Sequence, residues 1–317
     1  MMLTAPPGIL AAFRALWDEV RPQKPVRTRD HAARQTGHVT LLGAGPGAAD
    51  LITLRGLTAL QQADVIYYDR LSDPALLTHA KPKARLVSVG KSPGHHSVPQ
   101  DQINARLVAS AHLGHRVVRL KCGDPGIFGR GAEEAAALTE AGIPWSIIPG
   151  VTAACAAAAS AHSFLTERGQ TERVVFATGH RRAGEVTDWA ACAAPGTTLA
   201  CYMGVSTAAE LQNGLLAAGW PATCPVEVIS KAQTPDQRIL RGCISNLADL
   251  CQSHENLNPA ILLIRWPVLP PQSALAPQIN PNAVNDMDLK TPAKSVGHST
   301  RPTNATQRNF ALLPGQN

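Results

Sequence analysis

Residues 39–47, Val39-Thr40-Leu41-Leu42-Gly43-Ala44-Gly45-Pro46-Gly47, set a short apolar run directly before a glycine-rich turn. A run of this length bounded by turn residues reads as a buried strand of a mostly parallel sheet. The glycines allow backbone to approach a ligand at the strand end, where open α/β sheets bind their ligands. With Ala48 the loop also satisfies a loose dinucleotide fingerprint, G-x-G-x-x-A, and Asp64 stands near the offset of a ribose-binding acid. A dinucleotide turn, however, needs a helix that starts at once and presents its N–H groups to the pyrophosphate. Pro46 removes one donor, and Thr53 is the better helix start. The unit therefore points to an α/β fold, with a nicotinamide-dependent dehydrogenase as the weaker reading of its function.

Outward from this unit, β-branched runs alternate with alanine- and leucine-rich helical patterns, the signature of sheets covered by helices. Strands are expected over 39–42, 65–68, 86–89, 117–120 and 146–148, with helices over 54–62, 100–113 and 131–141. Gly142 and Pro144 stop the last helix. Pro149-Gly150 punctuates the chain, and Thr152 is placed to cap an alanine-rich helix leading into a second domain. There, strands are expected over 174–177, 198–203, 226–229, 238–244 and 260–264, with helices near 207–218 and 246–253. The later strands lack long helices between them, so some antiparallel pairing is expected. The resulting division is a basic, partly disordered extension over 1–37, α/β domains over 38–150 and 151–268, and a disordered tail over 269–317, rich in Pro, Asn, Gln, Ser and Thr.

A chain of 317 residues, 44% apolar and only 4% aromatic, can bury two ordinary cores and excludes fibrous and disordered classes. No apolar run is long enough to span a bilayer, and 11–17 lacks the flanks of a signal peptide, so a cytoplasmic location is expected. The net charge of +6 sits mainly in the ends: residues 1–37 hold 6 Lys/Arg against 3 Asp/Glu, whereas 38–268 hold 19 against 18. That distribution argues against a nucleic-acid surface, which would place a basic stripe on the folded part. The seven cysteines form no Cys-x-x-Cys pair or zinc-like Cys/His spacing, so reduced thiols and no metal are expected.

Further ordered blocks accompany the glycine turn. They include Tyr68-Asp69-Arg70-Leu71, Val89-Gly90-Lys91, Val118-Arg119-Leu120-Lys121, Gly123-Asp124-Pro125, Phe128-Gly129-Arg130-Gly131, Pro149-Gly150-Val151-Thr152-Ala153-Ala154, Thr178-Gly179-His180 and Tyr202-Met203-Gly204. Through these blocks, from about His38 to Val268, the chain resembles the uroporphyrinogen-III C-methyltransferases, tetrapyrrole methylases that form precorrin-2 for sirohaem and cobalamin. The resemblance implies a tetrapyrrole methylase-like α/β fold: two open α/β/α domains with the active site in the cleft between them. It implies S-adenosyl-L-methionine as methyl donor, uroporphyrinogen III as substrate, two successive transfers and a homodimer. Another precorrin-type methylase of the same fold is the nearest alternative.

Residue by residue, the resemblance implies that the donor is held by Pro46, Cys122, Gly123, Asp124, Ile127, Thr152, Ala153, Met203 and Ala232. Asp69 and Lys91 take the acid/base duty. The substrate carboxylates call for cations, since guanidinium groups grip carboxylates bidentately. Arg70, Lys91, Arg119, Lys121, Arg130 and Arg168 are the candidates, with Lys91, Arg130 and Arg168 foremost; His95, His96 and His180 are weaker. Departures from the family pattern are Cys122, Ala232 and Arg265 where glycine is usual, Gly126 for phenylalanine, and Glu167 for histidine. Cys122 and Ala232 are expected to alter the backbone approach to the donor, and Glu167 to place a negative charge near the carboxylate rim unless Arg168 or Lys231 offsets it.

Overall fold

The computed structural model describes residues 36–90, 98–180 and 187–268. The extension, the tail, Lys91, His95 and His96 lie outside the described residues. The first half runs β1 (His38–Gly43), α1 (Leu54–Gln62), β2 (Val65–Tyr68), β3 (Arg85–Ser88), α2 (Gln100–His112), β4 (Arg116–Lys121), α3 (Gly131–Glu140) and β5 (Trp145–Ile148). Its five strands pair in parallel in the order β3-β2-β4-β1-β5. Side chains alternate across each strand. Val39, Leu41 and Val117 therefore pack toward Ile103, Leu107 and Leu138 of α2 and α3, while Leu42, Val118 and Leu120 pack toward Leu60 of α1. Two buried faces explain why β1 reads as a continuous apolar run.

Residues 149–152 lead to α4 (Ala153–Ser160), then β6 (Arg173–Thr178), β7 (Thr197–Tyr202), α5 (Ala208–Ala217), β8 (Pro225–Ser230), β9 (Arg238–Cys243), α6 (Leu247–Gln252) and β10 (Ala260–Trp266). The second sheet has the order β6-β7-β10-β8-β9. Only β6 and β7 are parallel; β10 enters between β7 and β8, antiparallel to both, and β9 returns antiparallel to β8. One face packs under Leu211 and Leu215 of α5 and Leu247 of α6. The other is covered by α4, whose Ala154 and Ala157 lie against Ala200, Ile229 and Leu263. Small residues on both sides let that helix approach closely. Both sheets belong to one compact unit. No helix among the described residues is long and apolar enough to cross a membrane.

Candidate active site

The glycine turn does not open a helix. A single 3-10 turn, Ala49–Leu51, comes first, and α1 starts only after Thr53, whose side chain accepts from the Gly56 N–H at 3.1 Å. The dinucleotide geometry is therefore absent here. The turn instead hydrogen-bonds across to the loop after β4, through Gly45 N–H to Gly123 O at 3.2 Å and Gly123 N–H to Gly45 O at 3.0 Å. A third loop closes in behind, since a Cβ on Gly150 would sit 2.3 Å from Gly123 O. Asp124 locks that junction. One of its oxygens accepts from Gly126 N–H at 2.7 Å and the other from Gly150 N–H at 2.9 Å.

These loops form one wall of a cleft of about 1050 Å3, and loops after β7 and β8 of the second sheet form the other. All nine positions named above for the donor, Pro46, Cys122, Gly123, Asp124, Ile127, Thr152, Ala153, Met203 and Ala232, line it, together with Asp69 and Arg70. Phe128, Met203, Lys231 and Gln233 have positive φ (50°, 54°, 48° and 63°) and also line it. Non-glycine residues held in this region store strain and cluster at functional sites. The exposed side chains of Phe128 and Met203 present apolar surface to the cleft, while Ser72 in the same wall carries a buried hydroxyl without a protein partner.

Tyr202 was visible only as part of a motif, yet it joins the two lobes. Its hydroxyl bonds Thr152 Oγ1 at 2.6 Å and accepts from Ala154 N–H at 3.2 Å, at the start of α4. Its ring meets Phe128 at 4.9 Å and Phe176 at 6.0 Å. Burial pushes the phenol above its ordinary range, so it remains a neutral anchor. Burial likewise pushes the Cys122 thiol up to about 11, with Asp69 adding to the effect. Cys122 is therefore expected to resist iodoacetamide near neutral pH in the native protein and to react after unfolding, as read by peptide mass, because the thiolate is the nucleophile.

The cations divide differently from the sequence expectation. Arg119 and Lys121 are buried and held by protein acids: Arg119 Nη2 donates to Asp69 Oδ1 at 2.6 Å and Nε to Glu134 Oε1 at 2.9 Å, while Lys121 Nζ donates to Glu134 Oε2 at 2.9 Å. Lys121 touches the cleft wall but its ammonium is committed. Arg130 pairs with Glu133 at 2.7 Å on the surface, and neither it nor the exposed Arg168 lines the cleft. Glu167 is also away from the lining, its N–H bonded to Thr171 O at 2.9 Å. Arg265 serves the second lobe, donating to Glu227 at 2.7 Å and to Ser163 Oγ at 2.9 Å. The cations of the described wall that no buried acid holds are Arg70 and Lys231, the latter 3.9 Å from the exposed carboxylate of Asp236. In the sequence Lys231 enters only as an offset to Glu167, because a loop residue carries no periodicity that would mark it as a cleft cation.

Comparison with known proteins places this cleft in a familiar setting. Residues 38–248 match the model of the Tetrapyrrole (Corrin/Porphyrin) Methylases. A siroheme synthase from Zymomonas mobilis is 48% identical over 229 residues, covering 72% of this chain and 48% of that protein. Siroheme synthase 2 from Pectobacterium atrosepticum is 46% identical over 228 residues, covering 72% and 49%. The chain thus spans about half the length of the curated relatives it matches. Among solved structures, uroporphyrin-III C-methyltransferase from Thermus thermophilus complexed with S-adenyl homocysteine aligns with TM-score 0.62 and 34% identity, covering 72% of this chain and 97% of that one. A cobalt precorrin-4 methyltransferase aligns with TM-score 0.65 and 29% identity, covering 76% and 99%. With most of both sheets and every loop of the cleft wall up to residue 248 inside the matched region, the chain belongs to the tetrapyrrole methylase family.

Proposed function

We propose that this protein transfers methyl groups from S-adenosyl-L-methionine to carbon atoms of uroporphyrinogen III, in two successive steps that give precorrin-2 for sirohaem or cobalamin synthesis. The observation that carries the reading is the convergence of nine donor-site positions, drawn from loops of both sheets, on one cleft beside Asp69. The cleft suits the donor. Space stands open over Gly123, where an added Cβ would meet nothing nearer than Ala153 N at 3.7 Å, and Ile127, Met203 and Ala232 supply apolar wall. Cys122 and Ala232 are accommodated in that wall rather than closing it.

When bound, the donor supplies an already activated methyl group, so the protein's contribution is chiefly alignment. Asp69, at the end of β2, presents a carboxylate to the cleft to take the proton that leaves the pyrrole system as the methylated ring rearranges. Lys91, next to the cleft residue Gly90, is assigned the companion acid/base role. Arg70 and Lys231 meet the substrate's carboxylates, in place of Arg130 and Arg168. A cytoplasmic homodimer belongs to the same proposal, and analytical ultracentrifugation tests the dimer.

The decisive experiment incubates the protein with enzymatically made uroporphyrinogen III and labelled donor and reads product mass and absorbance. Addition of two methyl groups supports the proposal; no transfer to this macrocycle, or transfer only to a later precorrin, overturns it. Met203→Ala is expected to weaken S-adenosylhomocysteine binding about threefold to tenfold, the loss of roughly a methylene or two of apolar contact. Isothermal titration checks this, and unchanged affinity removes Met203 from the donor site.

A further inference from the structure

Beneath the cleft floor lies a charged cluster that the proposed chemistry does not use directly. Arg119 and Lys121 are two apart on β4, so they share the face on which Val117 packs toward α2 and α3. On that face Glu134 of α3, fully buried, receives Arg119 Nε at 2.9 Å, Lys121 Nζ at 3.0 and 2.9 Å, and Gln100 Nε2 at 3.3 Å from the first turn of α2. Arg119 spends its remaining nitrogens on Leu120 O at 3.0 Å and on Asp69 Oδ1 at 2.6 Å. Against the burial that pushes it down, Asp69 and Glu134 hold the Arg119 guanidinium above its ordinary value. For Lys121, burial and then Arg119 push the ammonium down, opposed by Glu134.

Side-chain exposure is 4% for Arg119, 2% for Lys121 and 0% for Glu134, against 30% for Asp69. Three charges have been withdrawn from water; Lys121 touches the cleft wall with its ammonium committed to Glu134, and Asp69 alone presents a partly exposed charge to the cleft. Buried ion clusters are poor stabilisers, since apolar groups of similar volume often serve as well. What such a cluster provides is geometry: a rigid fork bonded at one end to a buried acid and at the other to the cleft acid leaves Asp69 Oδ1 one place to be.

We propose that Arg119 and Glu134 are positioning residues, which hold the Asp69 carboxylate in its reactive orientation, Glu134 acting through Arg119. The inference rests on the reading of Asp69 as the proton acceptor. It assigns Arg119 a task inside the protein instead of a grip on substrate carboxylates.

The test is a cycle in the full-length protein with uroporphyrinogen III and S-adenosylmethionine. Arg119→Met is expected to lower kcat about 30-fold while KM for the macrocycle and Kd for S-adenosylhomocysteine stay within threefold. In an Asp69→Ala background the same change is expected to have almost no further effect, because a positioning residue acts only through what it positions. Arg119→Lys keeps the charge and loses the fork; it is expected to recover little of kcat and stands in for Arg119→Met if the latter does not fold. Glu134→Gln is expected to lower kcat to a lesser degree with the same KM.

A rise in KM with kcat retained would overturn the proposal in favour of direct substrate binding. Equal losses of kcat with and without Asp69 would overturn it in favour of a scaffold role. Wild-type rates in Asp69→Ala would instead remove the reading on which the inference rests, and near-normal rates in both Arg119 variants beside a slow Asp69→Ala would remove the inference alone.

Discussion

Replacing Asp69 with alanine is expected to slow methyl transfer by about 10²–10⁴-fold, the usual range for a lost acid/base group, while S-adenosylhomocysteine affinity changes less than about twofold. The two effects separate because Asp69 and the residues proposed to hold the donor occupy different loops. Asp69 follows β2, its N–H bonded to Leu120 O at 3.3 Å, whereas Asp124, Thr152 and Met203 come after β4, β5 and β7. The fold should survive, since Arg119 retains Glu134 as a partner and is not left as an unpaired buried cation. Single-turnover transfer with labelled donor, alongside titration of the product analogue, measures both quantities. Wild-type rates would take Asp69 out of the mechanism, and a parallel loss of binding would make it part of the scaffold.

Gly47→Ala is expected to be damaging through binding instead of through the rate. Gly47 has φ +75°, and a Cβ there would lie 2.3 Å from Ala232 O and 2.9 Å from the carbonyl of Gln233. The left-handed backbone alone costs an alanine roughly 1–2 kcal/mol. The larger penalty is steric, because the obstruction is backbone of the second lobe and not a side chain that can swing aside. Both partners of this contact line the cleft, so relief requires the two walls to move apart. A loss of at least about tenfold in S-adenosylhomocysteine affinity, near 1.4 kcal/mol, is expected by titration, together with a lower Tm. Gly142→Ala is the control: φ is +67° but nothing lies within 4 Å of the added Cβ, so only a modest stability change is expected and binding should be normal. Equal affinities for both variants would show that the lobes do not close through Gly47.

Much of the architecture was legible beforehand. The strand over 65–68 and the helix over 54–62 coincide with β2 and α1, and the other expected elements differ from those observed by one or two residues at their ends. Boundary shifts of that size reflect fraying and end hydrogen bonds, which local pattern does not encode. The antiparallel character of the later strands was also readable, since short connections cannot make a parallel crossover; the insertion of β10 between β7 and β8 was not, because nothing local says which edge a last strand joins. The donor-site positions came from a motif resemblance, and the cleft gathers them. Among the candidate cations, arginines at strand ends and in turns look alike in sequence, and only packing separates Arg119, sealed against two acids, from Arg70, which lines the cleft.

By itself, then, the amino-acid order determined what near neighbours can settle: the short apolar runs that become β1 and β4, the Thr53 cap that delays α1 past the glycine turn, and the ligand-permissive loops at strand ends. The tertiary structure alone decided which charges remain available, because neutralisation of Arg119 and Lys121 requires Glu134 from a helix on the covering layer and Asp69 from the loop after another strand. An electrostatic partnership of that kind depends on distance in space, and spacing along the chain carries no trace of it.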